Sequence, residues 1–424
     1  MRSDLHVLDD LEWRGLIAHS TDLDALRAEM DERPVRFYVG FDPTAPSLHL
    51  GNLLQILTAR RLQDAGHVPY ALVGGATGMI GDPKNSGERA LNSRDVVKSW
   101  VDNVRSQIEP FLSFSGSNAA TMVDNYDWTA SLSTIDFLRD IGKHFPVNRM
   151  LARDVVRSRL ESGISYTEFS YVLLQSMDYL NLHRDHGVTL QTGGSDQWGN
   201  ITGGVELIRR AEGARVHALA TPLVTRADGT KYGKTEGGAL WLDPVMLSPY
   251  AFYQFWLNVE DEKVGELLRV FTFLSHEEIE RLEAQTAEQP FRRAGQKALA
   301  EHMTTLVHGK DETVRIEAAS AALFGSGVLS DLDAGTLTAA LREAGSVEVK
   351  RADGMPHIVD LLVATGLSKS KSEARRTVGE GGAYLNNTRV EDVDHTPAAT
   401  DLLAGSWLVL RRGKKHLAGV EVVG

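Results

Sequence analysis

The chain has 424 residues, more than one core accommodates, because single cores stop growing near ~250–300 residues. It has no cysteine, which excludes disulfides, thiolate metal sites and cysteine nucleophiles. The net charge of −12 argues against indiscriminate nucleic-acid binding, but residues 351–424 hold ten Lys/Arg against nine Asp/Glu, so the tail is +1 and the rest −13, and a local basic surface is expected there.

The opening Met1-Arg2-Ser3-Asp4-Leu5-His6 lacks the apolar core of a signal peptide, and no run of ~18 apolar residues exists. The expectation is a cytoplasmic protein without a membrane span. Residues 4–33 read as helical, with Leu5, Leu8, Leu11 and Leu16 spaced for one face. Next comes Arg36-Phe37-Tyr38-Val39-Gly40-Phe41-Asp42, a strand by its alternation. A central parallel strand is normally apolar on both faces, yet one face here carries Tyr38, Gly40 and Asp42, which suggests that something small lies against it. Pro43 and Pro46 break the strand, and a helix is predicted from near His49. Its first turn carries His49, Gly51 and Asn52, a phosphate-attracting terminus by its free N–H groups and dipole. The alternative is an ordinary strand–turn–helix with a surface histidine.

Tyr70 to Gly74 is a buried strand leading into Gly75-Ala76-Thr77-Gly78-Met79-Ile80-Gly81-Asp82-Pro83. A helix is predicted over Ser93 to Leu112, a strand over Thr121 to Asn125, and helices over 133–160. Ser165 with Glu168 forms a capping box that starts a helix to Leu180. Gln191 to Asn200 reads as strand end, glycine turn and new helix, and Pro222 to Thr225 as a last short strand before the loop Lys231-Tyr232-Gly233-Lys234-Thr235. Strands alternating with helices at this spacing predict a doubly wound, Rossmann-like α/β sheet. The expected domains are residues 1–247 as the α/β domain, 248–342 as an α-helical domain, a polar linker at 343–355, and a small α+β domain at 356–424 with strands near Ala383–Leu385 and Ser406–Leu410.

Three constellations stand out. The glycine run at 74–81 invites a dinucleotide reading, but the acidic residue about 20 positions on, Asp95, falls in a predicted helix rather than at a strand end. Lys231 and Lys234 flank Gly233 and could close over polyphosphate; most such segments are solvated surface loops. Tyr171, Gln175 and Asp178 stand at i, i+4 and i+7, hence on one helix face. That face either lines a cavity for a small polar ligand or is an exposed surface.

Read together with the stretch 38–52, these signals resemble the tyrosyl-tRNA synthetases of the bacterial type, a class I family, over essentially the whole chain. Tyr38–Asn52, Gly74–Pro83, Tyr171–Asp178, Gly193–Asn200, Lys231–Thr235 and the tail from Pro356 carry the resemblance. His49-Leu50-Gly51-Asn52 is similar to the first class signature, with Asn52 where a second histidine is usual. Lys231–Thr235 is similar to the second, in the variant usual for the tyrosyl branch.

The resemblance implies roles. Tyr38 and Asp178 would bind the substrate hydroxyl; Tyr171, Gln175 and Asp82 its ammonium; Gln197 would lie near its carboxylate and the α-phosphate. Asp42 and the turn Gly194–Asp196 would bind adenylate ammonium or ribose groups. Thr44, His49, Lys231 and Lys234 would hold the pyrophosphate and carry catalysis, within an ATP-binding set that adds Gly40, Gly51, Asn52 and Thr235. The implied partners are tRNA(Tyr), L-tyrosine, ATP as substrate with Mg2+ carried by ATP and no protein-bound metal, and a second copy in a homodimer joined near 133–160. The helical segment would help read the anticodon region, and the tail is similar to a small RNA-binding fold. A carboxylate attacking the α-phosphate of ATP is already ionised at neutral pH, which agrees with the absence of an obvious base or nucleophile. Two rivals remain at this point: a tryptophanyl-tRNA synthetase, against which Tyr38 with Asp178 argues, and an RNA-binding protein that lost the chemistry, against which intact His49, Lys231 and Lys234 argue.

Overall fold

The structure is a computed structural model that describes all residues except 1–4, 84–86, 88–90, 227–228, 231–233, 236–237, 325–326, 351–353, 414–415 and 424. It divides into two compact units, Met1–Met246 with Gly265–Glu280, and Leu247–Val264 with Arg281–Gly424. The first stretch of the first unit ends at Met246, and residues 265–280, expected in the helical domain, belong to that unit as well.

The first unit is built on a six-stranded sheet: β1 (His19–Ser20), β2 (Arg36–Phe41), β3 (Val68–Val73), β4 (Thr121–Asp124), β5 (Leu190–Gly194) and β6 (His217–Thr221), in the order β1-β6-β5-β2-β3-β4. All neighbours run parallel except the short β1 against β6. The chain winds outward from β2 in one direction and from β5 in the other. The β2/β5 junction is therefore the switch point, where open α/β sheets bind ligands at the carboxyl ends of their strands. The strand expected at 222–225 lies instead at 217–221. Its sequence His-Ala-Leu-Ala-Thr has weak strand propensity, but every residue is buried, and Pro222, which lacks an N–H, ends the pairing.

The helix Leu50–Asp64 follows β2 with His49 as its cap, and Arg94–Ile108 starts from a Ser93 cap. The helix begun by Ser165 runs from Tyr166 to His186, six residues beyond the expected end, and stops at Gly187 in the left-handed region. Between Thr134 and Arg157 the expected helices are short and broken: Thr134–Asp136, a wide turn over Phe137–Ile141, a tight turn over Gly142–His144, then Val147–Leu151 and Asp154–Arg157. Pro146 closes off one of these pieces from the next, and Ile135, Leu138, Val147, Leu151 and Leu160 remain exposed.

The second unit contains the expected helical run, including Pro249–Leu257, Ala294–His308, Lys310–Leu323 and Ala334–Ala344. The stretch 343–355 is not a linker. Ser346–Lys350 forms β9, an edge strand of a five-stranded tail sheet ordered β11-β10-β12-β13-β9, with β10 at Ala383–Leu385, β11 at Thr388–Arg389, β12 at Trp407–Arg412 and β13 at His416–Val423. The signal for β9 was only Val347 and Val349 in a polar setting, which is how a half-exposed edge strand reads. Asn386 and Asn387, both at positive φ, make the two-residue turn between β10 and β11. Helices Ile358–Ala364 and Lys371–Gly379 cover the sheet around Leu361, Leu362, Val378, Leu408, Leu410 and Val420. The helix Ala334–Ala344 belongs with this sheet too: Trp407 Nε1 donates to Thr338 Oγ1 at 2.9 Å, and Arg342 pairs with Glu421 at 3.1 Å.

Candidate active site

A cavity of about 450 Å³ opens at the β2/β5 switch point. The carboxyl end of β2 supplies Tyr38, Gly40, Asp42 and Thr44; the next helix supplies His49, Gly51, Asn52 and Gln55; the helix Tyr166–His186 supplies Tyr171, Gln175 and Asp178; β5 and its turn supply Gln191, Gly194, Asp196 and Gln197. Asp82 completes the wall. The i, i+4, i+7 face of the long helix therefore lines a cavity and is not a solvent face. Of the expected site residues, Lys231 lies outside the described residues, and Lys234 and Thr235 enter only as the backbone of β7, a two-residue strand paired with β8 (Gly238–Ala239). The segment after β8 is tied to the start of the helix: Leu50 N–H donates to Leu240 O at 3.1 Å, and the His49 and Trp241 rings lie 6.3 Å apart.

One end of the cavity is buried. Asp178 is 2% exposed and accepts hydrogen bonds from Asn125 Nδ2 at 3.0 Å and Trp128 Nε1 at 2.9 Å. These donors favour the carboxylate, but burial outweighs them and pushes its pKa up to about 8. Asn125 is itself fully used: its amide nitrogen also donates to Thr77 Oγ1 at 2.8 Å, and its oxygen accepts from Ala76 N–H at 2.7 Å. The Tyr38 hydroxyl is buried with no partner among the described residues. Burial, and then the charge of Asp178, raise its pKa well above the usual range. Gln175 Oε1 and Gln191 Oε1 are buried and unpartnered in the same way. Orphaned polar atoms are costly to bury, and a set of them around one cavity marks groups awaiting a polar ligand.

In the middle of the cavity Asp42 bridges two elements. Its Oδ1 accepts from Thr77 Oγ1 and its Oδ2 from Tyr171 Oη, both at 2.7 Å. This explains part of the glycine run. A Cβ at Gly74 would lie 2.1 Å from Asp42 Oδ1, and one at Gly75 would lie 2.4 Å from Asp124 Oδ1. These two glycines make room for carboxylates rather than for a dinucleotide. Nearby, Gln197 Nε2 donates to Asp82 Oδ2 at 2.9 Å, and Asn200 Nδ2 donates to Asp82 Oδ1 at 3.0 Å and to Gln197 Oε1 at 2.8 Å.

The far end is more open. His49, Thr44 and Asp196 are exposed. His49 caps its helix, Nδ1 accepting from Gly51 N–H at 3.1 Å, and Asn52 Oδ1 accepts from His49 N–H at 3.1 Å, closing a capping box. Asn52 thus has a structural task at the helix start, which gives a reason for an amide there. Sequence reading missed Asn125, Trp128, Thr77, Asn200 and Gln191. The first four are defined by partners far away in the chain, and Gln191 by its burial against the cavity, so no local spacing announces them.

The switch-point cavity, the carboxylate-and-amide lining and the capped helix terminus converge with the sequence comparisons. Residues 30–325 match the family model of tRNA synthetases class I (W and Y), and residues 337–419 match the model of the tyrosine–tRNA ligase SYY-like C-terminal domain. The chain belongs to the class I tRNA synthetases of this group. It is 62% identical over 421 residues to the tyrosine–tRNA ligase of Streptomyces avermitilis, covering 99% of both chains, and 58% identical to that of Mycobacterium tuberculosis, again over 99% of each. A C-terminally truncated mitochondrial tyrosyl-tRNA synthetase of Aspergillus nidulans superposes with a TM-score of 0.66 at 31% identity, over 73% of this chain and 92% of that one. Within the class, the chain is a member of the bacterial-type tyrosine–tRNA ligases, which are ATP-dependent.

Proposed function

We propose that this cavity joins tyrosine to ATP and that the adenylate formed there charges tRNA(Tyr). The observation that carries the tyrosine assignment is the buried, unpartnered Tyr38 hydroxyl beside the Asp178 carboxylate. A phenol can donate to the second and accept from the first. Tyr171, Gln175 and Asp82 bind the ammonium group, and Asp42 holds Tyr171 in place rather than touching ribose. Gln197 faces the substrate carboxylate.

A carboxylate oxygen of tyrosine attacks the α-phosphorus of ATP, the bond to the bridging oxygen of pyrophosphate breaks, and the electron pair leaves with pyrophosphate. No proton moves, so no base is required. Positioning and charge stabilisation carry the step, with His49, Thr44, Lys231, Lys234 and Thr235 around the polyphosphate and Gly40, Gly51, Gly194 and Asp196 around the nucleoside. Mg2+ arrives as part of the nucleotide substrate. A ribose hydroxyl of the terminal adenosine of tRNA then attacks the adenylate carbonyl, the bond to the phosphate oxygen breaks, and AMP leaves with the hydroxyl proton passing to its phosphate. The helical segment and the tail sheet bind the tRNA, and the exposed apolar side chains between Ile135 and Leu160 join two copies in a dimer of the cytoplasm.

Pyrophosphate exchange with each of the twenty amino acids tests the reading, tyrosine alone being expected to drive it. Truncation tests the tail. A chain ending at Ala344 is expected to retain exchange and lose charging of tRNA. A chain ending at Gly354 keeps β9 without its partner β13 and is expected to aggregate. Normal charging by either chain would remove the tail from tRNA binding.

A further inference from the structure

Gln197 and Asn200 are amides, and an amide presents either a donor or an acceptor depending on which way it is turned. The Asp82 carboxylate, which only accepts, takes an N–H from each of them, and a second group that fixes the choice lies outside the cavity. Arg153, at the start of the helix Asp154–Arg157, hydrogen-bonds through Nη2 to Asn200 Oδ1. The guanidinium packs against the backbone at Gly199, where a Cβ would lie 3.3 Å from Nη2 and 3.4 Å from Nε. A guanidinium only donates, so the Asn200 oxygen must face Arg153 and its NH2 must face Asp82 and Gln197. Asn200 Nδ2 then donates to Gln197 Oε1 at 2.8 Å, and this in turn sets the Gln197 NH2 toward Asp82, 2.9 Å away, and the cavity. One N–H of Gln197 is used on Asp82; the other belongs to the amide edge that lines the site.

We propose that Arg153 is a positioning residue for adenylate formation, which through Asn200 holds the Gln197 amide with its N–H donor toward the reacting carboxylate. The inference rests on the reading that Gln197 faces that carboxylate. If Asn200 were free to turn, its oxygen would oppose the Gln197 oxygen and the Asp82 carboxylate, and Gln197 would lose both the partner and the polarity that the step needs. Asn200 is 2% exposed, so no bulk water replaces the lost bonds. Burial lowers the Arg153 pKa from the usual guanidinium value, and the charge of Asp82 opposes that shift.

The test is tyrosine-dependent pyrophosphate exchange by the full-length protein without tRNA, so that contacts to tRNA play no part. Arg153→Met is expected to lower kcat about tenfold with a smaller change in the KM for tyrosine, and Arg153→Lys, which keeps a donor, to recover most of the loss. Asn200→Asp keeps the volume and the bond to Arg153 but removes both amide donors, and is expected to be at least as slow as Arg153→Met. This arm serves where Arg153→Met folds poorly. In an Asn200→Leu background, Arg153→Met is expected to add nothing, because its effect runs through Asn200. Additive losses, normal exchange in Asn200→Asp, or an Arg153→Met defect confined to tRNA charging would each overturn the relay. Gln197→Leu separates the two readings. Normal exchange in that variant overturns the assignment of Gln197 to the carboxylate, whereas a slow Gln197→Leu beside a normal Arg153→Met overturns the relay alone.

Discussion

At one end of the cavity Asp178 is 2% exposed and held by two side-chain donors, while at the other His49, Thr44 and Asp196 stand exposed on a helix terminus and a turn. On the proposed reading, the buried end has to distinguish one hydroxyl in a ground state that binds and waits. Its polar groups are therefore cross-linked to one another, Asp178 to Asn125, Asn125 to Thr77, Thr77 to Asp42 and Asp42 to Tyr171, so that a wrong ligand cannot be accommodated by relaxation. The open end, on the same reading, has to meet charge that develops only as pyrophosphate leaves. Groups that act on a transition state need the right place and sign more than they need burial.

The comparison can be broken first at Asp178. Asp178→Ala is expected to lower kcat/KM for tyrosine at least about a hundredfold, since the substrate hydroxyl, Asn125 Nδ2 and Trp128 Nε1 all lose a buried acceptor, at about 1–3 kcal/mol for each group left unpaired. Steady-state exchange over a range of tyrosine concentrations measures this. If tyrosine affinity stays normal, the buried end does not read the hydroxyl. At the other end, His49→Asn keeps a good helix cap and is expected to reduce kcat about tenfold to a hundredfold, less than the ~10²–10³ of a donor in an enclosed site because His49 is exposed. Its KM for tyrosine and its melting temperature should hold. A variant with weakened tyrosine binding would show that the two ends are not separable.

Gly74→Ala addresses the cross-linking between them. A methyl group would be driven onto Asp42 Oδ1 and Thr77 Oγ1, and overpacking of this kind costs about 1–3 kcal/mol. The KM for tyrosine is expected to rise about tenfold with little change in the KM for ATP; equal changes in both would place Asp42 on the nucleotide side. The smallest effect is expected of Tyr38→Phe. It removes one neutral hydrogen bond, worth about 0.5–1.5 kcal/mol, and should erode the preference for tyrosine over phenylalanine a few-fold, read as the ratio of kcat/KM for the two amino acids.

Much of this site was legible in the sequence because its residues come in local patterns. Tyr38, Gly40 and Asp42 alternate along one strand, Tyr171, Gln175 and Asp178 share one helix face, and His49 with Asn52 opens a helix; each pattern lines the cavity as read. The network behind them was not legible. Asn125 and Trp128 meet Asp178 across about fifty positions of chain, and Arg153 meets Asn200 across 47, separations at which spacing carries no information. Gly74 and Gly75 were conspicuous in the sequence, but the reason for them is a pair of carboxylates whose approach only the folded chain defines. In the fold, the sheet and the helical run were readable from periodicity. The strand β6 was hidden by its alanines, and β9 by a polar neighbourhood that reads as a tether.

β9 has a further consequence, for the order in which the molecule is made. It is synthesised before the other strands of the tail sheet, yet its neighbour there among the described residues is β13, whose residues Gly419–Val423 pair with Ser346–Lys350. Some seventy residues must emerge before that strand has anything to pair with. Closing so long a loop is a slow step relative to local helix formation, and domains made first fold first on the ribosome. The α/β unit can therefore bury its core, and assemble the switch-point cavity, while β9 is still an unpaired edge exposed to neighbouring chains. The tail is the part of this protein whose folding depends on synthesis having run through β13.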